Sequence, residues 1–408
     1  MKVLSTWSLA ASGLALFRPV NSQQPASSTE LPHLTTWECS ISGGCTSHET
    51  SIVIDWETHF IHEAGGKTPC LAPSGVNQEL CPNATACASN CVVEPVNYAD
   101  HGVFTSDDTI ILSRYTRQDG NSRSGGPRVY LLGPDDNYMP LRLLGREISF
   151  DIDVSGLPCG ENGNLYLSEM PMTGGRSALN PGGARYGSAY CNAQCPVLNW
   201  ANGTLNDGAR PSCCNEMDIF EGNAYANHYA AHPCIADKCS SSGCIFNPYL
   251  AGARSFWGLG LDVDTSRPLT VITQFLTDDN KTSGVLVEIR RMYIQDRKLI
   301  HNIPASRGLG SCTHADPLSH SLGLSPMGES LARGMVMALS LWGDAEQGLQ
   351  WLDGGDAGPC DSSGSDPAST RRHPEPRVVF SDMRWGEIGS TFRHRLGSAP
   401  SVAYHQEL

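Results

Sequence analysis

An all-β fold of two packed antiparallel sheets, a sandwich or jelly roll, is predicted by three features of the sequence. Short alternating or β-branched runs recur, turn residues close each of them, and long helical periodicity is scarce. The runs, in order, are Thr109 to Leu112, Arg128 to Leu132, Glu147 to Val154, Asn164 to Leu167, Thr270 to Thr277, Val285 to Ile294, Met335 to Trp342 and Arg377 to Phe380. In Ile148-Ser149-Phe150-Asp151-Ile152-Asp153-Val154 the apolar residues alternate with period two, which buries one face of a strand and wets the other. Gly-Pro, Asp-Gly and Ser-Gly pairs punctuate the gaps, and the best helical stretch is only Glu329 to Arg333. No internal repeat and no Ser/Thr/Pro linker points to a second module.

The ends of the chain set its compartment. Residues 1–22 read as a secretory signal, with Lys2 at the start, a mostly apolar run from Val3 to Phe17, and small residues near Val20-Asn21-Ser22. That run is too short and too rich in Ser, Gly and Ala for a membrane anchor. The domain then spans 23–391, and 392–408 form a short polar tail. The tail ends in His405-Gln406-Glu407-Leu408, which differs from an ER-retrieval tetrapeptide by its glutamine. All 16 cysteines lie downstream of the signal, and an even, dense set in a secreted chain means disulfides rather than thiol catalysis. Cys234, Cys239 and Cys244 lack the paired spacing of a zinc site, so no metal or other cofactor is expected. Asn83, Asn202 and Asn280 begin glycosylation sequons. A net charge of −14 repels phosphate and anionic lipid, so the expected partner is neutral, with neither nucleic acid nor membrane involved and the chain a monomer.

The stretch Cys213-Cys214-Asn215-Glu216-Met217-Asp218-Ile219-Phe220-Glu221-Gly222-Asn223 carries the chemistry. On a strand, Glu216 and Asp218 share a face and Met217 and Ile219 point the other way, but Glu221 has the wrong parity. One extra residue near Phe220, a β-bulge, returns Glu221 to the acidic face. Like charges so placed in a partly dry cleft raise at least one pKa. A retaining glycosidase uses such a pair, one carboxylate as nucleophile and one carboxyl as acid, roughly 5–5.5 Å apart across the scissile bond. Glu216 and Glu221 lie four register steps apart, about 13 Å between Cα atoms, so their side chains must converge over a bound sugar. A solvated acidic stripe on an edge strand is the alternative, against which the tandem Cys213-Cys214 argues by promising a rigid strand.

This segment resembles the signature of glycoside hydrolase family 7, the fungal cellulases. The similarity runs from about Leu31 to Thr391 and includes Gly43-Gly44-Cys45, Leu157-Pro158-Cys159-Gly160, His232-Pro233-Cys234, Phe246-Asn247-Pro248-Tyr249, Ser340-Leu341-Trp342 and Trp351-Leu352-Asp353. The resemblance implies a concanavalin-like β-jelly-roll with an open substrate cleft that hydrolyses β-1,4-glucan with retention. It implies Glu216 as nucleophile, Asp218 as the residue that positions and tunes it, and Glu221 as acid/base. His232 falls near the leaving-group side. Arg128, Asn162, Tyr166, Tyr190 and Gln194 match positions that hydrogen-bond sugars upstream of the cut. Trp342 and Trp351 match stacking platforms on either side of it, where an indole covers the apolar face of a pyranose. The other tryptophans of the mature chain are expected in the core.

The resemblance further implies the pairs Cys39–Cys45, Cys70–Cys91, Cys81–Cys87, Cys159–Cys360, Cys191–Cys214, Cys195–Cys213, Cys234–Cys239 and Cys244–Cys312. Within the family, long loops roof a tunnel in cellobiohydrolases and are missing from endoglucanases. Here Pro196 to Ser212, Ile235 to Gly243 and Trp351 to Cys360 are short, which implies a groove and internal cutting. The chain also departs from the family pattern. Asn192 stands in place of an aspartate, Thr58 and Phe60 replace aromatic residues of distant subsites, and Ala230-Ala231 replaces Thr-Pro. The expected activity is a secreted endo-β-1,4-glucanase. The alternatives are a cellobiohydrolase, a broader β-glucanase or xylanase, a calcium-dependent lectin on the same fold, and a disulfide-rich wall protein without turnover.

Overall fold

The computed structural model describes residues 30–396 apart from 73–74, 119–120, 125, 202, 207, 304–311, 313, 344–347 and 362–375. The signal segment, the Asn202 sequon and the last four residues lie outside the described residues. The strands that build the site are, in chain order, β1 (His33–Ser40), β2 (Gly44–Ile54), β3 (Thr109–Ser113), β4 (Arg128–Leu132), β5 (Arg146–Asp153) and β6 (Glu161–Ser168). They continue with β7 (Glu216–Gly222), β8 (Asn227–His232), β9 (Cys244–Phe246), β10 (Leu269–Thr277), β11 (Leu286–Gln295), β12 (Met335–Gly343) and β13 (Arg377–Glu387).

Their pairing makes the predicted jelly-roll sandwich. One sheet runs β2-β4-β12-β6-β7-β8-β9, and the other runs β3-β13-β5-β10-β11. The pairs within each are antiparallel. β1 joins the two sheets, pairing with β2 along its length and lying parallel to β13 over Trp37–Cys39. Alternation decides which side chains enter the space between. Leu165 and Leu167 of β6, Met337 and Leu339 of β12, and Met217 of β7 pack into one core with Ile148, Phe150 and Phe275 of the opposite sheet. The intervening residues, Tyr166, Tyr130 and Ala338 among them, point to the other face, where a second apolar cluster underlies the cleft.

All eight disulfides pair as the resemblance implies. Each expected strand is present, several of them longer, and the helical stretch extends to α1 (Ser325–Arg333). Four of these strands, β1, β2, β8 and β9, have no counterpart in the sequence reading. In β1 and β2 the buried positions include Thr36 and Thr50, whose hydroxyls lie 3.1 Å apart, so the apolar signal is missing although the residues are inside. β8 is polar because it lines the cleft. Trp56, Trp200, Trp257 and Trp385 are buried as expected, while Trp37 is half-buried under the Arg384 guanidinium. The start of the polar tail is packed: Phe392 is buried, and Arg395 pairs with Asp151 and Asp382. Among the described residues, no helix is long and apolar enough to cross a membrane.

Candidate active site

β7 contains the predicted bulge. Asp218 pairs with Tyr166 and Phe220 with Leu165, so Ile219 is the extra residue, and the register with β8 also slips between Asp218 and Glu221. Beyond it Glu221 sits opposite Asn164 and returns to the face of Glu216 and Asp218. Ile219 and Phe220 both remain in the core. A bulge frees a carbonyl from the ladder. Here the buried guanidinium of Arg291 donates to the Ile219 carbonyl and, through Nε, to Thr273 Oγ1 at 3.1 Å. The head of the strand is fixed by Cys191–Cys214 and Cys195–Cys213. Asn215 Nδ2 donates to Glu169 Oε2 at 2.8 Å, and Glu169 also receives Ser330 and Arg333 of α1.

Three carboxyls therefore line one cleft of about 800 Å³, each with its own partners. Glu216 Oε2 accepts the Ala193 N–H at 3.1 Å. Asp218 Oδ2 lies 2.9 Å from His232 Nε2. His232 Nδ1 is 2.9 Å from the Ser240 carbonyl, which can only accept, so Nδ1 carries a proton. Glu221 Oε1 accepts Asn162 Nδ2 at 2.8 Å and Asn164 Nδ2 at 3.1 Å, and its Oε2 lies 2.7 Å from His228 Nε2.

These surroundings separate the three acids. Burial first, and the Glu221 charge second, hold Asp218 well above the usual carboxylate range. Burial and then Asp218 push Glu216 up to about 8, against the pull of His232 and the Ala193 N–H. The repulsion from Asp218 vanishes once Asp218 carries its proton. Glu221 is also pushed up by burial, but His228, the Asn162 amide and His232 outweigh this and leave it below its ordinary value.

Ten of the eleven side chains singled out by the resemblance line this cleft: Arg128, Tyr166, Tyr190, Gln194, Glu216, Asp218, Glu221, His232, Trp342 and Trp351. Asn162 is the exception. It is fully buried beneath the cleft, with Nδ2 donating to Glu221 and Oδ1 accepting the Gly222 N–H at 2.9 Å. Two further expectations gain detail. Arg128 gives Nε and one terminal nitrogen to Asp55 at 3.1 and 3.0 Å and lies 3.6 Å over the Tyr190 ring. Trp342 and Trp351 are neighbours, with their ring centroids 6.1 Å apart at 25°. Both are open to solvent, 37% and 47% exposed.

Asn164, His228 and Asp55 are cleft residues that the linear reading missed. Asn164 follows from parity with Tyr166 on β6. His228 follows only from the register of β8 against β7, which no spacing in the sequence reveals. Clusters of potential metal ligands among the described residues all rest on disulfide-bonded cysteines, which offer no thiolate. Asn192 Nδ2 donates to the Tyr190 hydroxyl at 3.0 Å, and Ala230 and Ala231 sit buried in β8.

Comparison with known proteins agrees with this geometry. Residues 24–392 match Glycosyl hydrolase family 7. A probable endo-β-1,4-glucanase celB of Aspergillus clavatus is 46% identical over 95% of this chain and 98% of its own. Endoglucanase EG-1 of Trichoderma longibrachiatum is also 46% identical, over 95% of this chain and 84% of that protein. The native structure of Humicola insolens endocellulase EGI superposes with a TM-score of 0.84 at 37% identity, covering 91% of this chain and all of that one. The chain belongs to glycosyl hydrolase family 7.

Proposed function

We propose that the protein is a secreted endo-β-1,4-glucanase that cleaves internal bonds of β-1,4-glucan by double displacement with retention. The observation that supports this most is the bulge at Ile219, which turns Glu216, Asp218 and Glu221 toward one cleft beside an open aromatic surface. Glu216 is the nucleophile. Its ionised form is favoured by the Ala193 N–H, by the neutral state of Asp218, and by the positive charge that develops on the sugar as the bond breaks. Asp218 holds its proton against His232 and thereby keeps a second negative charge away from the nucleophile. Glu221 is held low in the open cleft, but a bound sugar that excludes water, and the ionised Glu216 beside it, favour its protonated form, which gives its proton to the departing oxygen and then takes one from the water that releases the sugar from Glu216.

Arg128, Tyr166, Tyr190 and Gln194 contact sugars on one side of the cut, and Trp342 with Trp351 carries their apolar faces. Short loops and half-exposed tryptophans favour entry anywhere along a polymer. A calcium-lectin role is disfavoured by the partners of the acids, because an ion would have to displace both histidines and two amides from them.

The deciding measurement is the anomeric configuration of the first product from cellopentaose, followed by proton NMR. The β-anomer is expected, and an initial α-anomer would refute the double displacement. Viscosity of carboxymethylcellulose is expected to fall much faster than reducing ends appear. Cellobiose as the main early product would instead indicate a cellobiohydrolase. Glu216→Gln is expected to lose turnover of a fluorogenic cellobioside by several orders of magnitude, whereas a binding protein would show no turnover to lose.

A further inference from the structure

Asn192 stands in the wall of the cleft, and its side chain fixes which way the hydrogen bonds around it run. Its backbone is held between the two disulfides at the head of β7. The Asn192 N–H donates to the Ser212 carbonyl at 3.3 Å, and the Asn192 carbonyl accepts the Cys195 and Cys214 N–H groups at 3.3 and 3.1 Å. One end of the side chain lies 3.1 Å from the Gln194 N–H, which can only donate, so that end is Oδ1. The other end is therefore Nδ2, 3.0 Å from the Tyr190 hydroxyl, and an amide nitrogen can only donate. The Tyr190 oxygen accepts this bond.

The Tyr190 hydroxyl also lies 3.3 Å from that of Tyr166. Both residues are buried, at 7% and 3% exposure, and burial above all raises both phenols beyond their ordinary range, so each keeps its proton. The bond between the hydroxyls uses one of these two protons, and the bond to Asn192 uses neither. One phenolic proton is left over, on Tyr190 if Tyr166 donates to it and on Tyr166 in the reverse case. Among the described residues no other hydrogen bond engages either hydroxyl, and both tyrosines line the cleft together with Glu216.

We propose that Asn192 is a positioning residue that makes the Tyr166–Tyr190 pair a hydrogen-bond donor to the sugar bound upstream of the cut: by donating to Tyr190 rather than accepting from it, the amide leaves one phenolic proton for a sugar oxygen. This rests on the reading of the cleft as a glucan site. An aspartate, the residue that Asn192 replaces in the family pattern, offers acceptors only. It would take the Tyr190 proton, Tyr166 would donate to Tyr190, and the pair would turn only lone pairs toward the cleft. The charged groups around the pair are Arg128 of β4, which is 3.6 Å over the Tyr190 ring and paired with Asp55, and Glu216 and Asp218 of β7, with Asp218 opposite Tyr166. A carboxylate at 192 adds a charge to this group, and the test separates that effect from the direction of the bonds.

The test measures kcat/KM for a fluorogenic cellobioside at neutral pH. Asn192→Asp keeps the size of the side chain and the bond from Gln194, and it is expected to lose about 10-fold, the effect of one hydrogen bond to the sugar. Asn192→Ala removes more of the side chain but takes no proton from Tyr190, and it is expected to lose less than about threefold. In Tyr190→Phe protein, which has no hydroxyl for residue 192 to orient, Asn192→Asp is expected to add a loss of less than about twofold.

An alanine variant impaired as much as the aspartate variant would overturn the proposal in favour of packing alone. Equal losses from Asn192→Asp with and without the Tyr190 hydroxyl would overturn it in favour of a charge acting on Glu216, and an unchanged kcat/KM in Asn192→Asp would overturn it outright. Should the alanine variant not fold, the comparison of Asn192→Asp in the two backgrounds decides by itself. An unmodified protein that does not hydrolyse the cellobioside would strike the reading of the cleft, whereas hydrolysis together with any of the overturning patterns removes only the role of Asn192.

Discussion

Replacing Asn162 by alanine removes two hydrogen bonds at once, and the structure lets each be followed separately. The bond from Nδ2 to Glu221 Oε1 at 2.8 Å ends on a charged acceptor, a class worth about 1.5–3 kcal/mol. Asn164 and His228 still hold the carboxylate, so about half of that value is lost from the ionised form. Since 1.36 kcal/mol corresponds to one pKa unit, the Glu221 carboxyl should rise by about one. The second bond, from the Gly222 N–H to Oδ1 at 2.9 Å, is buried, and an orphaned amide there costs about 1–3 kcal/mol of stability. Two assays read these effects apart. The pH profile of kcat/KM on phenyl cellobioside should keep its acidic limb and move its basic limb up by about one unit. Thermal unfolding should show a lower Tm. A raised KM for cello-oligosaccharides with an unmoved basic limb would refute the reasoning, because Asn162 would then contact the sugar. An unmoved limb with only the Tm lowered would make it a structural residue of the bulge.

Three further outcomes are expected. Asp218→Asn, which keeps a donor for His232, should move the acidic limb of kcat/KM by less than about half a unit; a larger downward movement would show that Asp218 is ionised and repels Glu216. Trp342→Ala should raise KM about tenfold with little change in kcat, from about 60 Å² of ring that no longer covers a sugar, or about 1.5 kcal/mol; isothermal titration with a non-hydrolysed cello-oligosaccharide checks it. Glu169 is pushed up by burial, but its Arg333, Asn215 and Ser330 donors outweigh this and hold it below its usual value. A depressed folded-state pKa adds stability above the unfolded value near 4.5 and loses it as pH falls through the folded value. Glu169→Gln should therefore flatten the decline of Tm below pH 4.5, and an unchanged slope would count against this.

The strands with alternating apolar residues, such as β5 and β12, were legible because burial follows side-chain parity. β1, β2 and β8 were not, because threonine occupies inner positions and because a wall of the cleft is polar for functional reasons. The bulge was legible from chemistry: three acids with mismatched parity make sense on one face only with an extra residue between Asp218 and Glu221. Its position at Ile219, and its support by Arg291 from the opposite sheet, required the register. Cross-strand neighbours are the general gap. Asn162 shares its linear pattern with Asn164 and Tyr166, and only its depth at the end of β6 sets it apart. His228 looks like an ordinary strand residue until β8 is laid against β7.

The tandem bonds at Cys213 and Cys214 tie the surroundings of Glu216 to oxidation. Both reach the segment around Ala193, whose amide donates to Glu216. A polypeptide synthesised among cellular reductants has neither staple, and Glu216 lacks a fixed neighbour until the thiols have closed.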